Sequence, residues 1–445
     1  MYQGGNYLFQ GAVRGLIESR KSGQIAHGHE HFENPYLIDI TTQRIEAFAK
    51  NALFVDRENE GSFALMLSGN IHNMDADYGA RLYDITQREL YASLMFERKW
   101  MDGLHALSTG LSWNHDDFKR KYRLERYIDD SPVRSNQAEN VSGAYAQYTY
   151  NLNGKLIAMG GIRYDYNSLY GSLVTPRLHV RWNLPAGFSL QGSAGRGRHS
   201  PHPLEEYNYM LASSRRVVMP EKLRMETADN FGAGLAYEVQ LGERKLSFNA
   251  EYYYTDFKNQ LIANMDRDPH AVYLECSSNP SFSHAFQVES NVDILDDLNL
   301  LVAYRYTDVK VDYGEGLVRK PLTSKYKGLI SVAYSPFMGL WQFDVTCSLN
   351  GGGTMPRSYV TESGRDAWPS TFKAYPSLNA QITRNFRNWS VYVGGENLTG
   401  YRQKNPIIDA GNPWGNNFDA TMIYGPLHGA LIYAGFRFNI TKYVD

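Results

Sequence analysis

Side chains that alternate strictly between two kinds, over lengths few soluble sheets reach, constrain this chain more than anything else in it. In "TPRLHVRWNLP" (175–185), Pro176, Leu178, Val180, Trp182 and Leu184 fall on one parity, and Arg177, His179, Arg181 and Asn183 on the other. Period two marks an extended strand with two unlike faces, here one apolar and one cationic. The division recurs: Ala144, Ala146, Tyr148, Tyr150 and Leu152 alternate with Gly143, Tyr145, Gln147 and Thr149. After Asn153-Gly154, Leu156, Ala158, Ile162, Tyr164 and Tyr166 alternate with Lys155, Arg163 and Asp165. Asn-Gly between two such runs predicts a tight hairpin. Leu378, Ala380 and Ile382, then Ile432, Ala434, Phe436, Phe438 and Ile440, repeat the pattern toward the end. About 18 strands fit this template, many longer than the five or six residues usual in soluble sheets.

The connections alternate too. Short turns are expected near 152–154, 185–187, 241–244, 294–298, 336–340 and 385–388. Long polar connections are expected near 117–138, 167–174, 197–225, 258–280, 311–323, 350–373 and 399–428. A long up-and-down sheet cannot leave its edges open, and closure into a barrel removes them. Short turns on one rim and long loops on the other belong to outer-membrane barrels, whose apolar parity faces lipid and whose polar parity faces a wet lumen. Leu178, Val180 and Trp182 then meet lipid; Arg177, His179 and Arg181 meet water or cargo. A cation on the lipid face near the midplane costs about 2–4 kcal/mol, so a one-residue slip that turned Arg177 and Arg181 outward would cost several kcal/mol. Tyr164, Tyr166, Phe436 and Phe438, at strand ends, suit an interfacial girdle.

Composition excludes other classes. The net charge of −2 gives no bulk attraction to nucleic acid or acidic membranes. There is no run of 18 apolar residues, hence no membrane-spanning helix, and the start "MYQGGNYLFQ" has no basic region followed by an apolar stretch. Cys276 and Cys347 lack metal or redox spacing, and the sequence leaves open whether they pair. No fixed period of 20–50 residues suggests a solenoid or propeller.

Three segments are candidates for chemistry. "HGHEHF" sets His27, His29 and His31 at spacing two around Glu30, a possible metal or haem contact in a long loop. "GRGRHSPHPLEEYNYMLASSRR" (195–216) offers Arg196, Arg198, His199, His202, Arg215 and Arg216 as substrate-binding residues. The bland reading pairs their charges with Glu205 and Glu206. The cationic residues favour an anionic cargo, and replacing Arg215 and Arg216 with alanine is expected to weaken cargo binding and leave folding unchanged. "NMDRDPH", with Asp266, Asp268 and His270, lacks the rest of a calcium loop and reads as a turn. No nucleophile with a nearby base and no phosphate-cradling glycine loop stands out, so no enzyme and no cofactor are expected.

The segment 396–440 resembles the last strands of TonB-dependent outer-membrane receptors, particularly those of Bacteroidetes-type bacteria. Glu396-Asn397-Leu398-Thr399 is similar to the family's turn. Tyr424-Gly425-Pro426 and Tyr433 to Phe438 are similar to its final strand. Ser200-Pro201, Pro203-Leu204, Leu211 to Arg215, "YRYTDVK" (304–310) and "SKYKGL" (324–329) also resemble that family. The resemblance implies energy-coupled import of a bulky scarce nutrient: siderophore, haem, metal chelate, vitamin or glycan. It implies outer-membrane lipid, the TonB energy-coupling complex, the outer-membrane assembly machinery and a small-molecule or oligomeric nutrient as partners, with no nucleic acid. It also implies a plug inside a barrel of about 22 strands. Residues 1–445 are therefore read as barrel, with the plug and first strands missing and "GNYLFQGAVRGLIESR" already a wall strand. A plug-less passive pore and a non-transporting surface-binding barrel are the competing functions.

Overall fold

The computed structural model of the chain describes residues 2–25, 32–126, 131–361 and 364–438. One antiparallel sheet of 20 strands dominates it, each wall strand bonded to its neighbours in sequence. Two of the 20 are three-residue pieces, Tyr2–Gly4 and Leu317–Arg319. The rest run from eight residues in Leu431–Phe438 to 20 in Leu37–Asp56, Arg81–Trp100 and Val133–Leu152.

Cross-strand pairs fix the faces. Leu178 is opposite Gly160 and Ala194, and Trp182 is opposite Leu156 and Leu190. These residues share the outer face, where Leu178, Trp182 and Ile162 are exposed. Arg181 lies opposite Ile157 and Gln191, and His179 opposite Met159 and Ser193, on the inner face. The outer face stays apolar round the wall through Leu67, Leu111, Phe231, Val302, Ile330, Ile382 and Phe436, all exposed. Water would not tolerate so continuous an apolar belt, but hydrocarbon does. Cys347, a free thiol, lies on this belt opposite Ile330 and Leu378.

The expected turns form where Asn and Gly permit. Lys155 N–H donates to Leu152 O (2.8 Å) across Asn153 and Gly154, both at positive φ (48° and 72°), as a primed hairpin turn requires. Two expected long connections are shorter than the sequence suggests. The chain leaves the wall only between Arg123 and Val133, not over 117–138. Residues 167–174 are mostly strand, with a tight turn over 168–170. There Asn167 Oδ1 accepts from the backbone of Leu169 (2.8 Å) and Tyr170 (3.2 Å). Both strand pairs rise beyond the apolar belt, where the outer face turns largely polar while inward Phe118, Tyr122 and Leu173 face the roof, so the lipid-type alternation is lost although the ladder continues.

Bulky tyrosines on the inner face lie across glycines of the next strand. A Cβ on Gly394 would sit 2.5 Å from the Tyr433 ring, and one on Gly435 would sit 2.2 Å from Tyr392. Gly394→Val should therefore push Tyr433 aside, break its hydroxyl bond to Gln381 (3.1 Å), and cost about 1–3 kcal/mol in a urea titration; an unchanged midpoint would show that the ring moves freely.

Among the described residues no pairing joins Leu431–Phe438 to the first strands, so the ladder has two free edges. The hydrophobic core does not lie in the wall at all. It fills the rim with the long loops, where Leu204, Met210, Leu211, Val217, Val272 and Leu274 pack against inward-facing Ala76, Tyr78, Tyr83, Ile85 and Phe118.

Candidate functional site

The long loops fold inward as a roof over the lumen. Loop 200–225 contributes a five-residue helix, Pro203–Tyr207, and a strand, Arg216–Val218, which joins Ala271–Ser277 and Gln260–Asn264 in a three-stranded sheet. Arg81, buried on the wall, ties this roof down by donating to Ser213 O (2.7 Å) and Arg215 O (2.8 Å). Arg215 Nε meets Asp419 Oδ2 at 2.8 Å, with both side chains buried, and so joins loop 200–225 to loop 397–430. Loop 397–430 also reaches the connection between the first two long strands. Trp414 Nε1 donates to Asn34 O (2.8 Å), and its ring packs on Tyr36 (5.4 Å). Burial pushes the Tyr36 hydroxyl up to about 12.

The six cationic candidates do not converge on one site. Arg196 and Arg198 stand at the top of Phe188–His199 on the outer parity, Arg196 paired to Asp229 (2.6 Å) and Arg198 to Thr227 Oγ1 (2.7 Å). His199 meets Glu226 at 2.8 Å. His202 starts the short helix, packed on Phe118 (4.6 Å) and 3.8 Å from Glu139. Arg215 is sealed against Asp419, so replacing it cannot leave folding unchanged as the sequence suggests; Arg216 beside it is exposed. His27, His29 and His31 lie outside the described residues. Asp266, Asp268 and His270 form a turn, Asp268 Oδ1 accepting from His270 N–H (2.8 Å). Glu205 pairs with the wall residue Arg120 rather than with one of the loop's own cations.

Burial holds the His202 imidazole below its ordinary range, against the opposing pull of Glu205 and Glu139. From that lowered value up to about 6.5, the folded roof binds fewer protons here than the unfolded chain. Its stability therefore falls as pH drops through that window. Acidification from about pH 7.5 to 5.5 should speed protease cleavage within 200–225, and His202→Gln should flatten that response. A response of equal size in the variant would assign it elsewhere.

The inner wall supplies what the loop candidates do not. One cross-strand row runs from Arg181 through Gln191, Gly234, Glu251 and Gln287 to Arg305, Lys327, Asn350 and Tyr375. His179, Arg181, Gln191 and Glu251 line a recess of about 390 Å³. Arg305, Lys327, Asn350 and Tyr375 line another of about 600 Å³, roofed by Ile423 to Pro426 of the last loop and flanked by Thr323 and Ser324. Tyr375 Oη donates to Tyr424 O (3.2 Å), and its ring stacks on Tyr401 (4.5 Å, 7°). Sequence reading passes over Arg305 and Lys327 because each is one polar residue within an ordinary alternating strand. Only the register shows them side by side.

An apolar outer belt, a polar lumen, short turns on one rim and roofed loops on the other define an outer-membrane β-barrel. The sequence profile described as "TonB dependent receptor-like, beta-barrel" matches residues 4–398. The chain belongs to that family and resides in the outer membrane. No curated protein sequence matches it. Its fold is similar to the ferric citrate transporter FecA in unliganded form (TM-score 0.63, 14% identity, 90% of this chain and 62% of that one). It is also similar to a mutant of the ferric enterobactin receptor PfeA from Pseudomonas aeruginosa (0.66, 15%, 90% and 62%). The copper transporter OprC gives 0.66 at 11% identity, covering 92% of this chain and 69% of that one. The chain thus spans 62% of the length of FecA and of PfeA.

Proposed function

We propose that this wall belongs to a receptor that takes up a bulky, scarce nutrient across the outer membrane, energised by the TonB complex acting through a plug within the lumen. In this reading the cargo is a siderophore, haem, metal chelate, vitamin or glycan. The two free edges take further wall strands of the whole receptor, since unpaired backbone is not tolerated in hydrocarbon. The observation that carries the reading is the roof. Loops latched by Arg81 and by the Arg215–Asp419 pair cover the lumen, and in this reading passage takes a driven rearrangement of them. Of the six cationic candidates, Arg216 is exposed and has no ion pair or side-chain hydrogen bond among the described residues, so in this reading it is available to cargo.

Deleting the gene should abolish growth on one nutrient of a panel of ferric chelates, haem, cobalamin and oligosaccharides, and dissipating the proton gradient should abolish uptake in the parent. Uptake that survives dissipation, or steady conductance of the chain in planar bilayers, would overturn the proposal in favour of a passive pore.

A further inference from the structure

We infer that the recess beneath Tyr424–Pro426 binds a compact oxyanion with two negative centres, a dicarboxylate or a phosphate ester, and that Arg305 and Lys327 recognise it. This names the chemical class of cargo for the receptor proposed above and rests on that reading.

Arg305 and Lys327 are direct cross-strand partners on the inner face. Side chains so placed have Cβ atoms about 4.5–5.5 Å apart, and like charges there destabilise the sheet. Neither cation has an ion pair or side-chain hydrogen bond among the described residues, and no Asp or Glu lines the recess. The nearest inner-face carboxylates are Glu289, diagonal to Arg305 on the adjacent strand and so about 7–8 Å away between backbones, and Glu251, two strands away at about 10 Å; neither lines the recess. Some wall arginines are neutralised, Arg163 with Asp165, Arg196 with Asp229 and Arg319 with Asp308. Arg305 and Lys327 instead form a direct like-charge pair facing a hollow, and an incoming anion removes its cost.

The surroundings suit such an anion. Arg305 offers a planar fork for two oxygens, and Lys327 a compact point charge beside it. Asn350, next in the row, and Thr307, two residues along the strand on the same face, add neutral partners. Buried Tyr375 gives a rigid aromatic flank for an apolar portion of the ligand. A recess of about 600 Å³ lies within the size range of small-molecule sites.

The test is calorimetric titration of the chain in detergent micelles with glycerol phosphate and with succinate, glucose serving as the neutral control. At least one oxyanion should bind saturably, and more weakly as salt rises. Arg305→Gln and Lys327→Gln should each weaken binding about tenfold or more, while Lys327→Arg retains it. Lys327→Glu should abolish binding yet keep or raise the thermal midpoint, because repulsion across the pair becomes attraction. No saturable binding of either oxyanion, or equal binding by folded Lys327→Glu, would overturn the inference. In cells, uptake undiminished in Lys327→Glu would overturn it and leave the receptor reading intact, whereas a deletion strain without any uptake defect would remove the receptor reading itself.

Discussion

Replacing Asp419 with alanine should loosen the roof by about 3–5 kcal/mol, because it strands the Arg215 charge in a site that water does not reach. Arg215 and Asp419 are 2% and 4% exposed, so solvent screening does not soften the loss. Asp419 Oδ1 also accepts from the backbone and hydroxyl of Thr421 (2.8 and 2.7 Å), and those bonds go as well. Hydrogen exchange within 208–218 should accelerate by roughly two to four orders of magnitude. The double replacement Arg215→Met with Asp419→Leu should recover most of the protection, since burying neither charge costs less than burying one. Exchange that is unchanged in the single variant would mean that Arg81 alone latches the loop.

Introducing arginine at Leu178 should destabilise the inserted barrel by about 2–4 kcal/mol, the range for a cation held toward lipid near the midplane. The neighbouring replacement His179→Arg, one residue away but on the inner face, should cost under about 1 kcal/mol, as surface substitutions usually do. Urea titration of both variants in lipid vesicles measures the difference directly. Equal costs would show that the two parities see the same surroundings and would undo the assignment of faces.

These experiments address two levels that the sequence discloses unequally. The faces are legible, because period-two alternation in 175–185 or 378–382 needs no partner to be read, and among the described residues each such run sits on its expected side, with Ile440 of the last run outside them. The tight turns are legible for the same local reason, through Asn153-Gly154 and its counterparts. Strand length is not: above the apolar belt the outer face turns largely polar and the inner one meets the roof rather than the lumen, so 117–123 and 171–174 look like loop while the ladder runs on. The loop candidates misdirect in a similar way. An arginine-rich stretch announces charge but not its counter-charge, and Asp419 stands 204 residues from Arg215. Arg305 and Lys327 are hidden by the opposite effect: each is unremarkable alone, and their meaning comes from a register that no single strand encodes.

Trp414 touches Asn34 across 380 residues of chain, a separation that gives this contact a place in time as well as in space. The loop that bears it is held at both ends by the pairing of Trp389–Glu396 with Leu431–Phe438, so its contacts are expected to form after that pairing. Ordering contacts so distant in sequence is slow, because the entropy of the whole intervening polypeptide is spent first. A change in the emission of Trp414 should therefore report closure of the roof and trail the insertion of the strands.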